Sequence, residues 1–143
     1  MSETYDPANI FAKILRGEIP SHRLHEDETA IVIMDVMPQS KGHCLVIPKA
    51  PSRNLLDVSD QTLVSIMPLV SRLARAAKAA FSADGVQIVQ FNEAPAGQTV
   101  FHLHFHVSPR YAGVDLVPHS GKMADGAMLA EQADAIRAAL RST

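Results

Sequence analysis

The chain has no tryptophan, a single cysteine and no large surplus of either charge. One cysteine, Cys44, excludes an intramolecular disulfide and fits a reducing compartment. Thirteen Lys and Arg against fifteen Asp and Glu leave a net charge of −2. That balance supplies no basic field for a nucleic acid or an anionic membrane. No apolar run approaches the ~20 residues of a membrane span. The opening Met-Ser-Glu-Thr-Tyr-Asp-Pro is acidic and polar, unlike a secretory leader. These absences predict a cytoplasmic protein without nucleic-acid or membrane partners. There is no internal repeat and no low-complexity tract. What is present, 143 residues of which 47% are hydrophobic, suffices for one domain with a real core, spanning 1–143.

Taken in order, Asp6-Pro7 signals a helix start, and Ile10, Phe11, Ile14 and Leu15 follow at helical spacing, predicting a short helix over 7–16 that Gly17 ends. Short strands are predicted over 22–26, 29–34 and 42–47. Ser59 or Asp60 caps a long helix whose apolar stripe runs Leu63, Ile66, Met67, Val70, Leu73, Ala77 and Phe81. Pro68 inside it predicts a kink or a split. A strand over 86–92 and a tight loop over 93–99 lead into residues 101–107. A final alanine-rich helix is predicted over 125–141. Hairpin-short connections make neighbouring strands antiparallel. The expected architecture is α+β: an antiparallel sheet of about five strands with helices packed on one side.

Residues 101–107 read Phe-His-Leu-His-Phe-His-Val. Written as a strand, His102, His104 and His106 line one face, and the apolar residues line the other. Three readings are open. The histidines are a solvated face; or they ligate zinc, with His43 as a further ligand; or they handle phosphate. In the last, a neutral imidazole attacks phosphorus while its neighbours neutralise charge and protonate the leaving group. The small residues of Ala96-Gly97-Gln98-Thr99 suit an anion. Cys44 alternates away from His43 and reads as a buried small hydrophobe.

His102-Leu103-His104-Phe105-His106-Val107 resembles the histidine-triad signature of the HIT superfamily, with Ser108 in place of its last apolar residue. Other segments resemble the HINT-like bacterial branch in the same order: Asn9-Ile10-Phe11-Ala12-Lys13-Ile14, Gly17-Glu18-Ile19-Pro20, Asp35-Val36-Met37-Pro38, Gly42 through Lys49, Asn92-Glu93 and Gly97-Gln98-Thr99-Val100. The resemblance covers about residues 9–110, leaving 111–143 as a C-terminal loop and helix.

The resemblance implies a HIT-like fold and a nucleotide hydrolase or transferase acting at the α-phosphate of a purine nucleotide conjugate, phosphoramidase-like, without a cofactor. It implies that His104 attacks to form a nucleotidyl-histidine. His43 orients it or shares its protons, His102 and His106 bind phosphate oxygens with His106 as proton donor, and Thr99 stands beside the leaving group. It further implies that Asn92, Gly97 and Gln98 line the phosphate site and that Asp35 takes the ribose hydroxyls. Ile10, Phe11, Ile14, Ile33 and Val36 then wall a purine slot, although helix residues of this kind equally serve a core. Alternatives are a dinucleoside polyphosphate hydrolase and a non-catalytic nucleotide-binding or scaffold protein. Family members are typically homodimers joined edge to edge. Asn9, Ala12 and Pro51 stand where some bacterial members carry zinc ligands, so no metal is expected.

Overall fold

The computed structural model describes residues 5–118 and 122–143. The elements are α1 (Ile10–Leu15), β1 (Arg23–Glu26), β2 (Ala30–Met34), β3 (Cys44–Pro48), α2 (Asp60–Ala80), β4 (Gly85–Val89), a 3-10 turn (Ala94–Ala96), β5 (Phe105–Arg110) and α3 (Gly126–Arg141). The five strands form one antiparallel sheet in the order β1-β2-β3-β5-β4. The expected α+β class and strand number hold.

Both central strands are buried on both faces. Ala30, Val32, Met34, Cys44, Val46, Phe105 and Val107 pack against α2 and α3. On the opposite face Ile31, Ile33, Leu45 and Ile47 pack against Phe11 and Ile14 of α1. The two long helices therefore share one side as expected, while the short α1 lies on the other. His106 pairs with Leu45, so it projects from the α1 face. Cys44 lies under the long helices, where burial pushes its thiol pKa up. It is the inert hydrophobe expected.

Four sequence readings are corrected. Helix α1 begins at Ile10, not Pro7, because Asn9 caps it by accepting the Ala12 N–H. Asp6 is spent on a preceding turn, accepting the Ala8 N–H. Helix α2 is capped by Ser59 and runs unbroken through Pro68. Pro68 and Val64 both lie on the exposed face, so water can satisfy the carbonyl that proline leaves without a donor. Met67 is 43% exposed and does not belong to the buried stripe. The histidine strand starts only at Phe105. The β3–β5 ladder covers Phe105, His106 and Val107, and residues 102–104 leave it. Pro109 is tolerated because the residues around it pair with β4 alone.

Gly42 turns the chain into β3 at φ +88°, and a Cβ there would sit 2.5 Å from the Phe81 ring. Only glycine meets both conditions. Its N–H is held by the Gln132 amide of α3 at 3.1 Å. The long-helix side thus fixes the residue that precedes His43.

Candidate active site

Four histidines meet at the α1 face, but not as a uniform row. His102 is fully buried. Its Nε2 lies 2.7 Å from the Pro48 carbonyl and its Nδ1 2.5 Å from the Tyr5 hydroxyl. A carbonyl only accepts, so Nε2 carries the proton and Nδ1 accepts from Tyr5. The imidazole takes the Pro48 carbonyl just where the β5 ladder has ended, and Leu103 N–H donates to the Ser52 carbonyl at 2.8 Å. With both ring nitrogens engaged, His102 is not the phosphate-oxygen ligand expected of it. The period-two reading fails here because residues 102–104 are not in the sheet.

His104 is different. Its Nδ1 donates to the His102 carbonyl at 2.7 Å, which leaves Nε2 as the nitrogen with the lone pair. The Phe11 ring meets it edge-on at 4.7 Å and the His106 ring lies at 5.0 Å. Burial pushes its pKa down to about 4, against the opposing pull of the bond to His102. At neutral pH it is therefore an uncharged imidazole whose tautomer is already set.

His43 is fully buried. The Gln39 N–H donates to its Nδ1 at 3.0 Å, and its Nε2 lies 3.0 Å from His106 Nδ1. In the neutral ring Nε2 is then the protonated nitrogen and donates to His106. His106 in turn carries its own proton on Nε2. Asp35, also buried, places Oδ2 3.5 Å from His43 Nε2, and its Oδ1 accepts the Met37 N–H at 2.8 Å. The chain of donors runs Gln39, His43, His106, with the Asp35 carboxylate beside its middle member.

Asp35, His43 and His106 bring one ligand atom each within 4.8 Å of one another, the right chemistry for a transition metal. The His43 tautomer opposes it. A metal at Nε2 would need the proton moved to Nδ1, which already accepts from Gln39. The site fits proton transfer better than a resident ion.

The loop before the histidines is braced rather than open. Gln98 is buried. Its Oε1 accepts from Asn54 and the Glu93 N–H, and its Nε2 donates to the Arg53 and Val100 carbonyls. Its side chain thus ties the loop together instead of pointing at an anion. Arg53 pairs with Glu93 at 2.8 Å, which holds the Glu93 carboxyl below its usual range, and lies 4.2 Å above the Phe101 ring. Asn92 accepts the Leu55 N–H and exchanges two bonds with Gln90. Gly97, at φ +107°, has its N–H on the Ala94 carbonyl, and a Cβ there would lie 3.1 Å from the Phe91 ring, which meets His106 edge-on at 5.8 Å. Thr99 is exposed. Phe11, Ile14 and Ile33 pack in one cluster, of which Phe11 meets His104, and Ile10 at the start of α1 is 46% exposed. Val36 is not brought to this slot: its side chain packs against the cluster under the long helices. A cleft of about 600 Å³ lies behind residues 38–41, between Phe81 and α3, and no histidine lines it.

Tyr5, Asn54, Arg53 and Phe91 escaped the sequence reading. Each is defined by a partner 15 to 97 positions away, and nothing local marks it.

The chain and its fold have known counterparts. The HIT domain family model matches residues 16–113. The protein named Protein hit of Bacillus subtilis is 39% identical over 106 residues, covering 74% of this chain and 73% of its own. An adenosine 5'-monophosphoramidase of Saccharomyces cerevisiae is 40% identical over 107 residues, covering 75% of this chain and 65% of its own. The crystal structure of a HIT-like protein from Bartonella henselae superposes with a TM-score of 0.89 at 51% identity, covering 95% of this chain and 99% of that one. The chain belongs to the HIT family.

Proposed function

We propose that this HIT-family hydrolase cleaves a purine nucleoside phosphoramidate or a similar conjugate at its α-phosphate, through a covalent intermediate on His104. The observation that carries this reading is the bond from His104 Nδ1 to the His102 carbonyl, which presents the Nε2 lone pair. The relationship to a named adenosine 5'-monophosphoramidase supports the substrate class.

In the first step Nε2 of His104 attacks phosphorus and the bond to the leaving amine breaks. The amine takes the proton from His106 Nε2, and His43 supports that transfer through its bond to His106 Nδ1. The phosphorylated imidazole is positively charged, so the Nδ1–H bond to the His102 carbonyl strengthens as the transition state forms. In the second step water attacks phosphorus, His106 takes its proton, and the P–N bond to His104 breaks to release the nucleoside monophosphate. Phe11, Ile14, Ile33 and the exposed Ile10 form the slot for the base. Asp35 takes the ribose hydroxyls beside the Met37 N–H it already holds. Thr99 stands at the leaving group. Asn92, Gly97 and Gln98 shape the phosphate side by bracing its loop.

Turnover of adenosine 5'-phosphoramidate and of a diadenosine polyphosphate separates the candidate substrates, with AMP binding followed by calorimetry. The proposal expects faster turnover of the phosphoramidate, and His104→Ala slower by about 10³-fold or more with AMP binding retained. Full activity in that variant overturns the covalent route. AMP binding with no turnover of either substrate favours a nucleotide-binding protein instead.

A second copy is the proposed partner. Strand β4 is an edge strand whose Ile88 is 42% exposed, and Val64 of α2 is 73% exposed. A pairing of two β4 edges covers such a strand.

A further inference from the structure

The mechanism leaves Tyr5 unused, although its hydroxyl bonds to His102 across 97 positions of the chain. Its hydroxyl lies 2.5 Å from His102 Nδ1, and the two rings meet edge-on with centroids 5.6 Å apart. The other nitrogen of that ring is committed to the Pro48 carbonyl at 2.7 Å. A neutral imidazole has one N–H and one lone pair, so with the Pro48 carbonyl accepting from Nε2, Nδ1 needs a donor. Among the described residues Tyr5 is that donor. The consequence reaches the nucleophile in one step, because the main-chain carbonyl of His102 is what accepts His104 Nδ1–H at 2.7 Å.

We propose that Tyr5 is a positioning residue of the triad: its hydroxyl fixes the His102 ring on Pro48, which holds the His102 carbonyl where it sets the His104 tautomer. This rests on the reading of His104 as the nucleophile. Without the hydroxyl, His102 keeps a buried lone pair without a donor, or takes a second proton. The first loosens the ring and the carbonyl behind it. The second puts a positive charge one residue from an imidazole that must itself become positive during the reaction. Both act on the chemical step. Tyr5 reaches the row through His102, so substrate binding is expected to change little.

The test is Tyr5→Phe, which keeps the ring and removes only the hydroxyl. Adenosine 5'-phosphoramidate is the substrate, and the imidazole nitrogens are read by long-range ¹H–¹⁵N correlation. In the wild type the spectra should show His102 protonated at Nε2 and His104 at Nδ1. In the variant the His102 Nδ1 resonance should move and the His104 pattern should lose its single tautomer. The value of kcat should fall about tenfold or more, the scale of a small misplacement of a reacting group, with KM within about twofold. Unchanged nitrogen shifts, or a wild-type kcat with the hydroxyl gone, overturn the proposal. A fall confined to KM overturns it too. If the wild type turns over no phosphoramidate, the proposed function fails, and the nitrogen shifts of the two proteins still decide the role of Tyr5.

Discussion

His102, His104 and His106 are equivalent in a period-two pattern, yet each meets a different acceptor or donor. His102 donates to Pro48, His104 donates to His102, and His106 receives from His43. His102, His104 and His106 were legible from the triad motif and His43 from the resemblance of residues 42–49; the partner that each ring meets was not, because it depends on where the β5 ladder stops. The tautomers have a pH consequence. Burial depresses the pKa values of His102 and His104, the latter to about 4 from an ordinary 6.5. The lone pair of His104 is present above that value and is lost as pH falls through it. The acid limb of kcat/KM should therefore lie nearer pH 4 than pH 6.5 wherever His104 governs it. Stability carries the same sign. The unfolded chain takes up these protons first, so stability is lost as pH falls from about 6.5 towards 4. Urea titrations at several pH values should show this loss, and His104→Phe should reduce it.

At the scale of the element, the strands and helices followed from spacing and caps, with errors at their ends. Ser59, Gly17 and Asp125 mark boundaries by local chemistry. Asn9 displaced Asp6 because its side chain reaches the Ala12 N–H. By composition the small residues over 96–99 suit an anion. The centre of this loop is instead the buried Gln98, whose four bonds involve Asn54, Glu93, Arg53 and Val100. That network joins segments some forty residues apart, and no local pattern announces it. Gln98→Ala should cost about 1–3 kcal/mol, the penalty for stranding buried polar groups, read as a lower urea midpoint. The turn into β3 is held more stringently. Gly42→Ala adds a Cβ 2.5 Å from Phe81 at a φ of +88°, and should cost about 2 kcal/mol or more through strain and overpacking. Because His43 follows directly, the nitrogen shifts of His43 and His106 should move in the same variant.

At the scale of the whole molecule, the sheet divides two tasks. One face packs α2 and α3 and carries most of the core; the other holds α1 against a smaller cluster and meets the histidines. The placement of α1 was not legible, since its apolar residues satisfy a core or a slot equally well. No helix among the described residues is long and apolar enough to cross a membrane. The proposed pairing of β4 edges predicts that Ile88→Lys shifts a dimer towards monomer in sedimentation velocity while leaving the far-ultraviolet circular dichroism spectrum intact. The proposed mechanism rests on His104 as a nucleophile rather than a binding group. The stereochemical course at phosphorus tests that most directly. A P-chiral adenosine phosphorothioamidate, hydrolysed in ¹⁸O-water, should give a product with retained configuration, since two in-line displacements each invert it. Net inversion would mean that water attacks phosphorus directly, and would contradict the covalent intermediate.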